Sequence, residues 1–227
     1  MSAKVARRQI PDRAATAAAA SSSLRDTAYE AIKHSIITCA LKPGEYVNEA
    51  QLCVTFGIGR TPVHQALDRL MHDGLVQVIP RRGVIVKPVS LDEVMQIIDV
   101  RLLNETYCAR LAAERADQAH IEEMADILAR ARTAGRNVKQ LMELDREFHA
   151  TLARAAANDV LSELLGRLHE RALRFWFISL NAPEHHVKVQ DEHEAILAAV
   201  KKRNGAAAEA AMRRHIESFR RNVARYL

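Results

Sequence analysis

Four polar side chains in the second half of the sequence lie on helical stripes that are otherwise apolar. Asp145 and His149 share a stripe with leucine and phenylalanine residues, and His193 and His215 lie on two further apolar stripes. Residues four apart face the same side of a helix, so this Asp and this His can reach a common ion. Polar groups on faces that pack inward must find partners. One carboxylate and three imidazoles form a ligand set that suits zinc, nickel or another borderline divalent ion.

The same histidines have a second interpretation, which their spacing does not exclude. A histidine on an apolar stripe is commonly a core residue with its own hydrogen-bond partner. His169, on the apolar helix predicted over residues 159–180, is expected to be such a separately bonded residue. The spacing leaves two hypotheses open, a shared metal site and a set of independent core histidines.

The elements that must position these side chains are six predicted helices with short breaks between them. Only three Gly and one Pro occur in the last 139 residues, so few positions favour turns. Ser90 followed by Glu93 forms a capping box that begins the first of these helices. The predicted helices span residues 91–115, 118–134, 137–157, 159–180, 184–203 and 205–226.

The first part of the chain has a different pattern, three helices followed by two short strands. Apolar residues recur every four positions from Leu24, and Asn48 is a cap ahead of a short second helix. After a Gly-containing turn, a third helix is predicted over residues 60–73, and the apolar period then falls to two around a turn at residues 80–83. This order predicts a mainly α fold, with an N-terminal winged helix-turn-helix and a C-terminal antiparallel helical bundle.

Charge divides the chain at the same place. Residues 1–88 carry 12 Lys and Arg against 7 Asp and Glu, whereas residues 89–227 carry 21 of each sign. An excess of positive charge confined to one segment is typical of nucleic-acid binding. We expect a mobile basic tail over residues 1–23 with a frayed helix in its alanine run, a DNA-binding domain over residues 24–88 and a helical domain over residues 89–227.

Composition excludes several other classes of protein. No apolar run approaches the roughly 18 residues that a membrane-spanning helix needs. Charged residues and Pro11 interrupt the segment that would form a signal peptide. Cys39, Cys53 and Cys108 are odd in number and widely spaced, so neither a disulfide framework nor a cysteine zinc site is indicated. These features favour a protein of the reducing cytoplasm with no membrane partner.

The third helix has an exposed polar face that is suited to reading DNA. An α-helix fits the major groove, where Arg pairs with guanine and Gln with adenine. Basic residues at the tip of the wing would contact the backbone or the minor groove. The alternative is an ordinary solvated face and a charged hairpin tip. The expected DNA contacts are Arg60, Thr61, His64, Gln65, Arg81, Arg82 and Gly83.

The stretch over residues 59–67, GRTPVHQAL, resembles the signature of the GntR family of bacterial transcription regulators, and residues 80–84, PRRGV, resemble that family's wing. The family usually has Ser where Gly59 stands, Arg where His64 stands and Glu where Gln65 stands. Because His64 replaces a residue of fixed charge that reads guanine, we expect an operator preference that differs from the family norm.

The C-terminal half resembles the metal-binding ligand domain of the FadR-like branch of the same family. The sequences DREFH at residues 145–149, EHEAI at 192–196 and MRRHI at 212–216 carry this likeness. The resemblance implies an FCD-type bundle in its six-helix variant. It also implies that the Asp and the three His identified above hold a divalent metal ion, zinc or nickel.

The same resemblance implies residues that bind an effector. Arg101 is similar to an Arg that often faces the effector in such domains, and Arg174 is a second candidate. A guanidinium beside a metal suits a small carboxylate, which it can hold through two parallel hydrogen bonds. Asn104 stands where the pattern tends to have Glu.

Together with the resemblance, these features predict a ligand-responsive DNA-binding transcription regulator, most often a repressor in this family. We expect an effector-binding and dimerisation domain, a homodimer on a pseudo-palindromic operator, and a small organic acid as effector. Two other classes stay open. A metal-dependent enzyme would need a general base, and Glu147 and Glu192 fall on other helix faces. A purely architectural nucleic-acid binder would need no buried polar cluster.

Overall fold

The chain divides into two compact units. A computed structural model describes residues 13–88, 90–135, 137–179 and 183–224. One unit holds the residues up to Ser35 together with Gly44–Val86, and the other holds Ile36–Pro43 together with the residues from Lys87 onward. The sequence pattern does not predict that Ile36–Pro43 joins the second unit. The segment belongs there because Ile37 is buried in the core of that unit.

The first unit is built from three helices and a small antiparallel sheet. Its elements are α1 (Arg13–Ile37), β1 (Tyr46–Val47), α2 (Glu49–Phe56), α3 (Arg60–His72), β2 (Val76–Ile79) and β3 (Gly83–Val86). The strand order is β1-β3-β2, so β3 lies in the centre of the sheet. β2 and β3 form the predicted wing, with Val78 opposite Val84. The two-residue β1 is not predicted, because so short a strand has no period to detect.

Helix α1 begins at Arg13, well before the predicted start at Leu24. The tail expected over residues 1–23 is thus helical from residue 13 onward, whereas residues 1–12 lie outside the described part of the chain. The added stretch contains the alanine run. Because Ala has the highest helix propensity, a helix can extend through this run without an apolar stripe to pack.

Local signals in the sequence explain the helix-turn-helix. The Asn48 side chain caps α2 as predicted, since its Oδ1 accepts a hydrogen bond from the Gln51 N–H at 3.2 Å. Gly57 follows α2 with a φ of 64°, a left-handed conformation that favours glycine. The predicted inner face of α3 is buried through Val63, Ala66, Leu67 and Leu70. The opposite face of α3 is left to solvent.

The second unit is a helical bundle that confirms the predicted fold class. Its helices are α4 (Leu91–Arg115), α5 (Gln118–Thr133), α6 (Val138–Ala155), α7 (Asp159–Ser179), α8 (Pro183–Lys201) and α9 (Gly205–Val223). Their bounds differ from the predicted ones only at the end residues. The side chains of Ser90, Asp117, Asn137 and Asn204 each accept a backbone hydrogen bond in the first turn of a helix.

Helix α4 lies at the centre of this bundle and packs against α6, α7, α8 and α9. The core contains completely buried large side chains from several of these helices. Examples are Ile98, Phe148, Ile196, Met212 and Ile216. Among the described helices, none combines the length and the apolar composition needed to cross a membrane.

Candidate metal centre and nucleic-acid interface

The four predicted ligands converge inside the second unit. α6 supplies Asp145 and His149, α8 supplies His193 and α9 supplies His215, and none of the four is more than 8% exposed. The ring centroids of the three histidines lie between 4.6 and 5.3 Å apart. One nitrogen from each ring lies within 4.8 Å of the others. The three imidazoles can therefore reach a common point.

Asp145 joins two imidazoles of the cluster. Its Oδ1 lies 3.6 Å from Nε2 of His193, and its Oδ2 lies 3.2 Å from Nε2 of His169. Burial alone would raise the pKa of Asp145, but the imidazole of His169 and the neighbouring rings of His149 and His193 lower it below its usual range. The carboxylate is therefore ionised and can serve as an anionic ligand.

His169 belongs to this cluster, which corrects its prediction as a separately bonded core residue. It lies on α7, it is buried, and its ring centroid is 4.5 Å from that of His149. Neither of its ring nitrogens has an aligned hydrogen-bond partner in the described structure. The stripe on α7 fixes only the face that His169 occupies, so the sequence gives no signal that this face meets α6 at the cluster.

Two glutamates accept hydrogen bonds from the Nδ1 atoms of two of the histidines and thereby orient their rings. Oε2 of Glu105, on α4, lies 3.0 Å from Nδ1 of His149, and Oε2 of Glu192, on α8, lies 3.0 Å from Nδ1 of His215. A carboxylate that accepts from Nδ1 fixes the tautomer and leaves Nε2 as the free lone pair. The sequence pattern places Glu192 on another face of α8, yet its carboxylate reaches across to α9.

The buried acid on α4 is Glu105, one residue after Asn104, the position where the family pattern tends to have Glu. Asn104 is half-buried, and its Nδ2 donates to the Val100 carbonyl at 2.8 Å. Glu105 is the buried residue, and it accepts from Nε of Arg101 at 2.5 Å while its other oxygen faces His149. Burial would raise the pKa of Glu105, but Arg101 and His149 hold it well below its usual range.

Several ring nitrogens of the cluster are buried and lack a hydrogen-bond partner within the described residues. They are Nε2 of His149, both nitrogens of His169 and Nε2 of His193. Nε2 of His169 makes its ion-pair contact with Asp145 without hydrogen-bond alignment. An unpaired buried polar atom costs about 1–3 kcal/mol. Imidazole nitrogens and a carboxylate are donors for zinc and nickel, so these residues fit a divalent metal ion.

Burial keeps the imidazoles in the form that binds metals. Desolvation lowers the pKa of His169 and His193, and it lowers the pKa of His215 to about 3. Neighbouring histidines lower each value further, because adjacent imidazolium charges repel. These rings are neutral at pH 7, and neutral imidazole is the metal-ligating form.

Two of the cavities that adjoin the cluster are lined in part by His169. The larger has a volume of about 310 Å³, and His149, His169 and Glu105 form part of its wall. The smaller has a volume of about 20 Å³ and is lined by Arg101 together with Asp145, His169 and His215. A space of this size holds about one water molecule. Arg101 thus lies beside the cluster, paired with Glu105, and faces the smaller cavity.

Arg174 lies apart from both cavities. It is buried on α7, and its Nη1 donates to the backbone carbonyl of Lys87 at 2.9 Å. Lys87 begins the part of the second unit that follows the wing. Desolvation lowers the pKa of Arg174 from its usual value. The structure therefore does not bring Arg174 together with Arg101, and the contact that it makes is with the start of the second unit.

The predicted DNA contacts all lie on exposed surface of the first unit. The contacts on α3 are Arg60, Thr61, His64 and Gln65, and those at the wing tip are Arg81, Arg82 and Gly83. The tip is closed by a hydrogen bond from the Arg82 N–H to the Ile79 carbonyl at 3.0 Å. Recognition helix and wing thus present the polar and basic side chains that a DNA contact requires.

His64 stands between two carboxylates on this surface. Its Nδ1 lies 3.1 Å from Oε1 of Glu49, and its Nε2 lies 3.8 Å from Oδ2 of Asp68. The hydrogen bond to Glu49 raises the pKa of His64, and Asp68 adds to the effect. His64 therefore carries more positive charge near neutral pH than an unpaired histidine would, although less than an arginine.

Comparison with known families matches both units. Residues 24–86 match the family described as bacterial regulatory proteins, gntR family, and residues 96–218 match the FCD domain. The chain belongs to the GntR family and carries an FCD domain. The resemblances to the GntR family and to an FCD-type ligand domain are confirmed, and this GntR regulator joins a DNA-binding unit to a ligand-binding bundle.

Named relatives of this GntR regulator are themselves regulators. It is 27% identical to the HTH-type transcriptional repressor RspR of Escherichia coli K12 over 197 residues, 86% of each chain. It is 30% identical to the HTH-type transcriptional regulator LutR of Bacillus subtilis over 199 residues, 78% of this chain and 90% of LutR. The HTH-type transcriptional repressor GlaR of E. coli K12 is 28% identical over 198 residues, 83% of this chain and 90% of GlaR. These relatives are transcriptional regulators, and the GntR regulator is not an enzyme.

Solved structures show the same fold. E. coli McbR/YncC superposes with a TM-score of 0.80 at 21% identity, covering 89% of this chain and 98% of that one. A GntR regulator from Rhodococcus sp. RHA1 superposes with a TM-score of 0.75 at 20% identity and equal coverage.

The lowered pKa values predict that acid destabilises the metal-free GntR regulator. The unfolded chain takes up protons below about pH 6.5, whereas folded His215 takes one up only near pH 3. Stability is fully present above about pH 6.5 and falls as the pH decreases toward 3, by up to about 1.4 kcal/mol per pH unit for each such histidine. Urea unfolding at several pH values measures this slope. His215→Gln should reduce the slope and the exposed-site control His72→Gln should not, so equal slopes for all three proteins would contradict the prediction.

Because Glu105 contacts both Arg101 and His149, its removal is predicted to destabilise the protein. Glu105→Leu leaves Arg101 as a buried, uncompensated charge, which should destabilise the protein by about 3–5 kcal/mol. Arg101→Leu combined with Glu105→Leu removes both charges and should recover most of that loss. Urea unfolding at neutral pH tests both variants. If the double variant is no more stable than Glu105→Leu, the Arg101–Glu105 pair is not the dominant interaction of this carboxylate.

Proposed function

We propose that this GntR regulator is a metal-containing repressor that responds to a small organic acid. The observation that carries the proposal is the buried cluster in the FCD domain, where several imidazole nitrogens have no hydrogen-bond partner among the described residues and lie beside a cavity large enough for a ligand. A DNA-binding protein without an effector would gain nothing from such a cluster, because burying these groups opposes folding.

Asp145, His149, His193 and His215 would hold the metal, zinc or nickel. Three of these residues can direct a nitrogen toward one point, and the ionised Asp145 supplies the negative charge that a divalent cation needs. When bound, the metal supplies a Lewis-acidic positive charge that attracts a carboxylate. Glu105 keeps Nδ1 of His149 engaged, and this contact leaves Nε2 for the metal.

DNA binding is assigned to the exposed face of α3 and to the wing, with Arg60 and Thr61 at the start of the helix and Arg81, Arg82 and Gly83 at the hairpin tip. Residues near the N-terminus of a recognition helix reach base edges in the major groove, and wing residues contact the backbone. A bacterial regulator of this type would act on DNA in the cytoplasm.

A homodimer would place two recognition helices in successive major grooves of a pseudo-palindromic operator. An exposed apolar stripe on α4 supports self-association. It contains Val100, Leu103 and Tyr107, which are 39%, 74% and 51% exposed and share one face of the helix. Contiguous exposed apolar surface commonly marks a protein interface.

Repression and its release would depend on two states of the protein. An effector shifts the equilibrium between them only by its difference in affinity for each state. RspR and GlaR, two relatives that are named as repressors, support repression as the direction of control. The effector would bind in the larger cavity, beside the metal.

The proposed metal site predicts how much zinc the protein retains and how zinc affects its thermal stability. After equilibration with zinc and removal of excess metal, the protein should retain about one ion per chain, measured by mass spectrometry of the digested protein. His193→Gln and Asp145→Asn should each weaken retention by about tenfold or more, whereas the exposed-site control His72→Gln should not. A chelator should lower the midpoint of thermal unfolding and added zinc should restore it. Wild-type retention in His193→Gln would refute the assignment.

DNA recognition predicts a specific loss for Arg60→Ala. Using an operator selected from a random library, fluorescence anisotropy should show a loss of about 1–3 kcal/mol for the selected site, roughly five- to 150-fold, with little change for random DNA. Arg82→Ala, which removes a backbone contact, should weaken binding to both DNAs and reduce the salt dependence. Circular dichroism checks folding of each variant. Unchanged operator affinity in folded Arg60→Ala would contradict the role of this helix face.

A further inference from the structure

Two carboxylates stand beside the polar face of α3 that is assigned to DNA. Asp68 lies one turn after His64 on the exposed side of α3, and Glu49 reaches His64 from the first turn of α2. Because DNA carries a dense row of phosphate charges, acidic side chains on such a face oppose binding unless a cation neutralises them. The side chain that contacts both carboxylates is His64.

The positions of these carboxylates favour the protonated form of His64. Nδ1 lies 3.1 Å from Oε1 of Glu49, and Nε2 lies 3.8 Å from Oδ2 of Asp68. A neutral imidazole has only one N–H, so one of its nitrogens would turn a lone pair toward a negative oxygen. The imidazolium form has an N–H at both nitrogens and avoids this repulsion. The raised pKa of His64, caused by Glu49 first and Asp68 second, agrees with this geometry.

The two contacts leave one ring nitrogen available to DNA. The Nδ1 contact with Glu49 has the length of a hydrogen bond, so it fixes the orientation of the ring. The Nε2 contact with Asp68 is longer than a hydrogen bond. The side chain of His64 is 63% exposed, so Nε2 can meet a partner outside the protein. Glu49 thus holds one side of the ring and leaves the other side free to donate.

His64 is the group in this part of the surface whose charge changes near neutral pH. Glu49 on α2 and Asp68 on α3 are the charged groups found to act on it in the described structure. Arg60 shares the exposed face of α3 one turn earlier. Carboxylates and guanidinium groups keep their charges near neutral pH, whereas an imidazole does not.

The protonation state of His64 decides which base edge it suits. Guanine presents two acceptors to the major groove, N7 and O6, whereas adenine has a donor beside its N7. A protonated Nε2 therefore suits guanine. A neutral ring whose Nδ1–H is held by Glu49 instead directs the Nε2 lone pair toward the base, and this lone pair is repelled by both acceptors of guanine.

We propose that Glu49 is a positioning residue for DNA recognition, and that it holds His64 so that the protonated Nε2 donates to a guanine of the operator. Specific binding is then coupled to the proton on His64 and weakens as the pH rises. Neutralising the two carboxylates lowers their repulsion of the phosphates in the same state. The inference rests on the proposed DNA-binding face of α3, and it names the base and the protonation state that this face recognises.

The test measures binding of the full-length protein to a selected operator and to random DNA by fluorescence anisotropy, from about pH 6 to about pH 8.5. The readout is the ratio of the two affinities, because phosphate contacts common to both DNAs cancel in it. For the wild type this ratio should fall as the pH rises, by up to about tenfold per pH unit, the limit for one proton. The ratio should stay level in His64→Arg, whose charge is fixed. His72→Gln, at the other end of α3, should follow the wild type.

Glu49→Gln distinguishes positioning from a simple change of charge. It removes the charge that favours imidazolium, so the fall of the ratio should move to lower pH and the ratio near neutral pH should decrease. Loss of a negative charge alone would instead strengthen binding to both DNAs. Asp68→Asn should move the profile in the same direction by less, because its contact is longer. Circular dichroism checks that each variant is folded.

An operator that carries 7-deazaguanine, which lacks the N7 acceptor, identifies the base. Replacing each guanine in turn should reveal a position where the change costs the wild type about tenfold near pH 6 and much less near pH 8.5. In His64→Ala the same replacement should cost little at either pH.

Three outcomes would overturn the inference. They are the same pH profile in His64→Arg and the wild type, a wild-type profile in Glu49→Gln, and no guanine whose replacement has a pH-dependent cost. Arg60→Ala separates these failures from failure of the DNA-binding face. If Arg60→Ala retains operator affinity, the face is wrong and the inference falls with it. If Arg60→Ala loses affinity while the profiles coincide, the face stands and only the inference fails.

Discussion

Buried imidazole nitrogens that lack a hydrogen-bond partner among the described residues are the constraint to which the rest of the FCD domain conforms. A helical bundle can bury leucine or alanine in many arrangements, but it can bury this cluster only where the rings converge on shared partners. Helices α6, α8 and α9 each bring a histidine to one point, α7 brings His169 against the ring of His149, and α4 brings Glu105 to Nδ1 of His149. The relative positions of five helices are thereby fixed to within the length of a polar contact.

Each of the two buried carboxylates beside this cluster contacts more than one charged or titratable group. Asp145 faces two imidazoles, whereas Glu105 joins the imidazole of His149 to the guanidinium of Arg101. Because one glutamate serves both groups, a change at Arg101 also alters the orientation of a histidine. The next residue after Asp145 on α6 faces the larger cavity instead. Two adjacent residues of α6 thus face different sites, one the histidine cluster and the other the larger cavity.

Features that depend on neighbouring residues could be predicted from the sequence, and features that depend on distant contacts could not. Helix bounds follow from capping residues such as Asn204 and from apolar periodicity, which are local. The cluster membership of His169 depends on how α7 meets α6, and the role of Glu105 depends on how α4 meets both. The position of Ile37 in the second unit depends on a core formed by residues far along the chain. Periodicity assigns a face to a residue but does not identify what that face meets.

The hydrogen bond from Arg174 to residue 87 does not depend on which side chain stands at position 87. The acceptor is a main-chain carbonyl, which every amino acid at position 87 would provide. The lysine side chain at that position instead contacts Glu93 at 3.0 Å. Substitutions at position 87 therefore leave the guanidinium bond intact, whereas substitution of Arg174 removes its donor. A side chain at position 87 can therefore change its pairing with Glu93 without altering the bond that joins α7 to the start of the second unit.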